Sequence, residues 1–154
     1  MISIIVCHKE VSRLNELRQN ITDTIGVPHE LIVINNQAST FGICEAYNRG
    51  AQQTQYEYLC FVHKDILFRI HAWGPAILAL LPESTVGLVG VMGSQYKALS
   101  VSAWWDGHGN TMRGQIIHRR ATGTGTIHHC YNPKNEKRAD VVSLDGLFLA
   151  TQSP

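Results

Sequence analysis

Through residues 1–91 the apolar positions follow two alternating periods. Ile2 to Cys7 is an unbroken apolar run rich in β-branched residues, the pattern of a strand covered on both faces. Leu14, Leu17, Ile21 and Ile25 then recur at helical spacing, with Ser12 as the expected N-cap and Gly26-Val27-Pro28 as the stop. Leu31 to Ile34 predicts a second buried strand, closed by Asn35-Asn36-Gln37. Residues 42–55 predict a helix with small and apolar positions at Ile43, Ala46, Tyr47 and Ala51. Tyr58 to Val62 predicts a third buried strand ending in His63-Lys64-Asp65. Trp73 to Leu81 predicts a helix, with Pro75 in its first turn and Pro82 just past its end, and Val86 to Val91 a fourth strand.

This order predicts an α/β fold with a mostly parallel sheet flanked by helices. Right-handed crossovers bring the strand C-terminal ends to one edge, where open α/β sheets bind ligands. The polar clusters Cys7-His8-Lys9-Glu10, Asn35-Asn36-Gln37 and His63-Lys64-Asp65 all fall on that rim. The last third reads differently. An irregular or hairpin insertion is expected at about 93–138, rich in Gly, Thr, His and Asn, with a mobile Gly/Thr stretch over 121–126. Asp140 to Leu144 returns as a strand, and Asp145-Gly146 turns into the apolar Leu147 to Ala150.

The chain has 154 residues, which suits a single domain over 1–154. Its 44% hydrophobic and 16% charged residues describe a globular chain, not a disordered one. A formal net charge of +1 supplies no global field for nucleic acid or anionic lipid, so a charged ligand needs a local site. No apolar run approaches the roughly 18–20 residues of a membrane span. The opening segment lacks the basic start of a signal peptide. Cys7, Cys44, Cys60 and Cys130 form no C-x-x-C pair, which favours reduced, buried thiols in a cytoplasmic protein.

Neither the dinucleotide glycine fingerprint, a P-loop nor G-x-S-x-G is present. His63 and Asp65 are two residues apart, so an extended chain points both to one side with Lys64 opposite. An imidazole and a carboxylate so placed can share one divalent cation whose other positions a pyrophosphate fills. The plainer alternative has Asp65 capping a turn and His63 as a polar strand end.

The ordered segments MISIIVC, ELIVINN, AYNRGAQQTQYEYLCFVHKDI, GLVGVMGS and VVSLDGLFLAT resemble the family-two glycosyltransferases of GT-A fold. They are most similar to the bacterial branch in which Asp-x-Asp reads as Phe-Val-His-x-Asp. The resemblance implies a Rossmann-like nucleotide-diphospho-sugar transferase fold, Mn²⁺ or Mg²⁺ as cofactor, a UDP- or GDP-sugar donor, and a glycan or lipid-linked acceptor. It implies that Cys7, His8, Lys9 and Glu10 line the nucleotide pocket, largely through backbone. Asn36 stands near a family Asp that reads the base, and its amide can both donate and accept. Asn48 matches an Asn near the sugar nucleotide, and Asn35 and Lys64 complete that set. Asp65 matches the metal-binding second acid, and His63 replaces the first, which removes a charge and lowers metal affinity. Asp145 matches the segment under the acceptor side and is the candidate base for an inverting transfer.

The family continues past FLAT with helices that carry an acidic base, whereas this sequence stops at Pro154. The expectation is a shortened acceptor half, with apolar surface near Leu147 to Ala150 that self-association would cover. Two other functions compete: a non-catalytic nucleotide-sugar-binding or scaffold domain, and an α/β domain whose insertion binds metal through His118, His128, His129 and Cys130. Trp104-Trp105 is either a sugar platform or a packing anchor. Arg119-Arg120 with Lys134, Lys137 and Arg138 is either a solvated face or a phosphate contact.

Overall fold

The N-terminal apolar run becomes β1 (Ile2–His8), with Ile2, Ile4, Ile5 and Val6 fully buried. The computed structural model describes residues 1–10, 13–100, 103–106, 109–120, 123–132 and 134–153. It comprises two compact units, Met1–Val89 with Gly146–Pro154, and Gly90–Asp145. In the first, α1 (Leu14–Thr24), β2 (His29–Asn35), α2 (Ile43–Ala51), β3 (Tyr58–His63) and α3 (Trp73–Leu80) follow in the expected order. Ser12, the expected N-cap, lies outside the described residues; Arg13 precedes α1 and makes no side-chain cap.

Ile2, Ile4 and Val6 face one way, toward Leu17, Ile21 and Ile25 around α1 and Ile77 and Leu81 around α3. Fully burying such side chains contributes about 1.5–3 kcal/mol each. The opposite face receives α2, whose Gly50 lies so close that a Cβ there would overlap the Ile5 side chain. Glycine is therefore what lets this helix reach the sheet.

The sheet order is β2-β1-β3-β9-β4, with β4 at Val89–Gly90 and β9 at Phe148–Gln152. Strands β2, β1 and β3 are parallel, but β9 runs antiparallel to β3, with Val62 opposite Phe148 and Tyr58 opposite Gln152. The sheet is thus mixed, parallel through β2, β1 and β3 as expected but broken by the antiparallel β9, so it is not a clean Rossmann-like arrangement. Apolarity marks a strand as central without fixing its direction. Because β9 takes the place beside β3, the fourth strand is reduced to two residues at the far edge. Strand β2 is only half-buried through Val33 because it is the other edge. The apolar surface expected near Leu147 to Ala150 is absent: Phe148 and Ala150 are buried in the core, which removes the reason given for self-association.

The second unit holds β5 (Met92–Ser94), β6 (Met112–Arg119), β7 (Thr126–Cys130) and β8 (Ser143–Leu144), in the antiparallel order β7-β6-β5-β8. The strand expected over 140–144 therefore belongs to this sheet. Of the Gly/Thr stretch, Ala121 and Thr122 lie outside the described residues; Gly123 and Gly125 adopt positive φ and close the β6–β7 turn through Arg120 N–H to Gly125 O. Arg113, with its side chain 12% exposed, donates to Glu136, Gln95 and the Asn110 and Met112 carbonyls, tying β6 to its flanking loops. Among the described residues, no helix is long and apolar enough to cross a membrane.

Candidate functional site

Parallel register assembles the rim. Cys7 lies opposite both Ile34 and His63, and His8 lies opposite Asn35, so the polar ends of three strands stand side by side. Beyond the ladder, Asn36 N–H donates to His8 O at 2.8 Å and His63 N–H to Leu147 O at 2.9 Å. Each polar cluster therefore leaves the sheet from a fixed point.

At the end of β3 the chain turns instead of staying extended, with Ile66 N–H directed to His63 O. Lys64 is consequently not opposite its neighbours: its Nζ lies 3.2 Å from Asp65 Oδ1. His63 Nδ1 lies 3.7 Å from Asp65 Oδ2 and accepts a long 3.4 Å hydrogen bond from the Asp65 N–H. With Nδ1 accepting, the proton of neutral His63 sits on Nε2. The loop that follows is strapped to α1. Asn20 Nδ2 donates to Phe68 O at 3.0 Å, and Phe68 N–H returns to Asn20 Oδ1 at 2.6 Å. Trp73 Nε1 donates to Thr24 Oγ1, and Phe68, Trp73 and Phe148 pack as an aromatic cluster.

Donors 3.7 Å apart can both reach one ion at about 2.1 Å from each. Among the described residues no group of three or more His, Cys, Asp or Glu side chains can hold a metal. A cation held by this pair would have to draw its remaining ligands from phosphate oxygens and water, and Nδ1 would have to give up its bond from the Asp65 N–H to ligate it. Lys64 partly neutralises the same carboxylate and so opposes tight binding of a free ion.

The other expected residues are placed as follows. His8 is 5% exposed, and its Nδ1 has no hydrogen-bond partner among the described residues. Lys9 and Glu10 are exposed and Cys7 half-buried. Asn35 is exposed, and its Oδ1 accepts from Gln37 N–H. Asn36 is 3% exposed, and its amide is engaged on both sides by Phe41: Nδ2 donates to Phe41 O at 2.8 Å and Oδ1 accepts Phe41 N–H at 3.1 Å. The side chain expected to read a base thus holds a loop. Asn48 is exposed on α2. Asp145, in the second unit, is half-buried and directs its N–H to Met92 O.

Tyr47 packs against Phe61 at 5.1 Å, and burial, with a smaller electrostatic effect of Cys7, pushes its phenol up to about 12. A cleft of about 350 Å³ opens beyond β2, lined by Val33, Asn35, Phe41, Arg49 and Gln53 among others. Arg49 lies 4.2 Å over the Phe41 ring there and pairs with Glu45. Of the expected set only Asn35 lines this cleft, and neither His63 nor Asp65 does.

The four zinc candidates do not converge. Register places His118 and His129 on one face of the β6–β7 hairpin and His128 and Cys130 on the other. Cys44 and Cys130 are exposed, which corrects the expectation of buried thiols; only Cys60 is buried, and burial raises its thiol to about 12.

No match is found among curated proteins. The model of a family described as a glycosyltransferase-like family matches residues 3–154, from the first strand through β9. That match covers nearly the whole sequence, and the chain belongs to the glycosyltransferase-like family.

Proposed function

We propose that the chain binds a nucleoside-diphosphate sugar at the rim of β1, β2 and β3 and transfers the sugar to an acceptor hydroxyl with inversion. The observation that carries this reading is the pairing of His63 and Asp65, 3.7 Å apart, on a strand end flanked by Cys7. His63 and Asp65 would hold Mn²⁺ or Mg²⁺ together with the donor's diphosphate. When bound, the ion supplies a Lewis acid for the departing phosphate charge. Lys64 adds a positive group beside that charge, and the exposed Lys9 provides another from the end of β1. Leu147 O fixes the His63 backbone, and the Asn20 clamp fixes the loop behind Asp65, so the pair keeps its geometry as charge develops. A carboxylate must accept the acceptor's hydroxyl proton as the oxygen attacks the anomeric carbon.

Calorimetry of UDP and GDP with Mn²⁺ tests the binding half. Asp65→Ala is expected to weaken nucleotide affinity about tenfold or more, and unchanged affinity would remove the diphosphate clamp. Release of nucleoside diphosphate from UDP- or GDP-sugars tests the chemistry. Binding without release would identify a nucleotide-sugar-binding domain instead of an enzyme.

A further inference from the structure

The second unit carries a row of rings that the nucleotide site does not use. His118 meets His129 edge to face at 5.1 Å, and His129 stacks with Tyr131 at 5.9 Å. Tyr131 meets Trp104 at 6.2 Å, and Trp104 meets Trp105 at 5.8 Å. Neither end of the row is covered: His118 is exposed and Trp105 is 60% exposed. The rings are amphipathic throughout. The Tyr131 hydroxyl and His129 Nδ1 share a 3.2 Å hydrogen bond, while Trp104 Nε1–H is buried and has no partner among the described residues, so the polar tips open to a ligand are those of His118 and Trp105 at the two ends.

Charge separates this unit from the rest of the chain. Residues 90–145 hold seven Lys and Arg against four Asp and Glu, whereas the other unit holds six against eight. Arg119 ends β6 one residue past His118, on the opposite face of the hairpin, Arg120 follows it in the turn, and Lys134 and Lys137 lie on the loop after Tyr131. All four are exposed, and none enters an ion pair among the described residues. That loop is held by Asn132, whose amide bonds both the N–H and the carbonyl of Glu136.

We propose that the ring row from Trp105 to His118, with Arg120, Lys134 and Lys137, is a binding surface for an acidic glycan. A sugar ring offers an apolar C–H face and a hydroxylated edge, which suit partly exposed rings with polar tips. Carboxylates or phosphates on the glycan complement the surplus of cations. Single-stranded nucleic acid also favours interleaved rings and cations. Membership of a glycosyltransferase-like family makes the saccharide the better-supported occupant. The inference deepens the proposed function by naming the acceptor chemistry, and it rests on that reading only for the word acceptor.

The test uses the full chain without donor or metal. Hyaluronan hexasaccharide, neutral maltohexaose and an oligothymidylate of equal charge to the hyaluronan are titrated against tryptophan fluorescence and by calorimetry. The acidic saccharide is expected to bind about tenfold or more tighter than the neutral one, and more weakly as salt rises. Trp105→Ala is expected to weaken both saccharides. Arg120→Gln with Lys134→Gln and Lys137→Gln, at exposed positions that leave the core untouched, is expected to abolish the preference for the acidic one. Asp65→Ala is expected to bind the hexasaccharide like the unaltered chain, which separates this surface from the nucleotide site. Equal binding of acidic and neutral sugars, no binding of the hyaluronan, no effect of Trp105→Ala, or tighter binding of the oligothymidylate would each overturn the proposal.

Discussion

The two units of this chain are stabilised by different means. In Met1–Val89 with Gly146–Pro154, thirteen buried residues form one apolar cluster around β1, α1, α3 and β9. In Gly90–Asp145 the only buried apolar side chain among the described residues is Met92. Its order comes from the Arg113 fan of hydrogen bonds, the Asn132–Glu136 clamp and the ring row. Apolar burial is non-directional and tolerates variation in partner, whereas a hydrogen-bond network depends on every member being satisfied. The first unit is therefore insensitive to surface change, and the second is sensitive to single polar side chains.

The contrast predicts that Phe148→Ala has the largest effect on stability. Phe148 is 2% exposed and edge-on to both Phe68 and Trp73. Its truncation is expected to cost about 3–5 kcal/mol, seen as a lower Tm and a lower denaturant midpoint. A loss below about 1 kcal/mol would mean that β9 contributes little to the core. Next comes Arg113→Ala, which removes four hydrogen bonds at once and leaves Gln95 and Glu136 without that partner. The expected loss is about 1–3 kcal/mol, concentrated in faster amide exchange of β6 and β7 while β1 and β3 keep their protection. Uniform loss across both units would erase the distinction drawn between them.

The smallest effect is alkaline and belongs to the first unit. Cys60 is raised from 9.0 to about 12 by burial, and Tyr47 from 10.0 to about 12 by burial, with a smaller electrostatic effect of Cys7. Both groups stay neutral in the fold while the unfolded chain ionises. Their contribution is unaffected below the unfolded values, and stability falls as pH climbs above about 9 for the thiol and 10 for the phenol. One pH unit above the unfolded thiol value the loss is about 1.4 kcal/mol. Cys60→Ala is expected to flatten that limb in chemical denaturation between pH 8 and 10, and an unchanged slope would show that the thiol does not titrate on unfolding.

The first unit was largely legible. Leu14, Leu17 and Ile21 announced α1, and the runs at Ile2, Leu31 and Tyr58 announced three strands, because each buries a periodic face. Gly26 stops α1 with the positive φ expected of it. The direction and position of β9 were not legible, since an apolar run has the same composition whichever way it pairs. The placement of Ser143-Leu144 in the second sheet escaped for the same reason. At the site, His63 and Asp65 lie close through a turn and not through the extended chain that the spacing assumed, and the same turn brings Lys64 to the Asp65 carboxylate. Asn36 looked like a reader of ligand because an amide is versatile, and that versatility is engaged by Phe41.

By itself, the sequence determined which segments must be buried and that three polar clusters end three strands, because periodicity records how often a side chain meets the core. Only tertiary structure decided that β9 runs against β3, that the Asn20 and Asn36 amides hold loops, and that rings from Trp105 to His118 meet in one row. Those outcomes depend on which backbone groups and ring edges come within a few ångströms of one another, and no local pattern of residues encodes that distance.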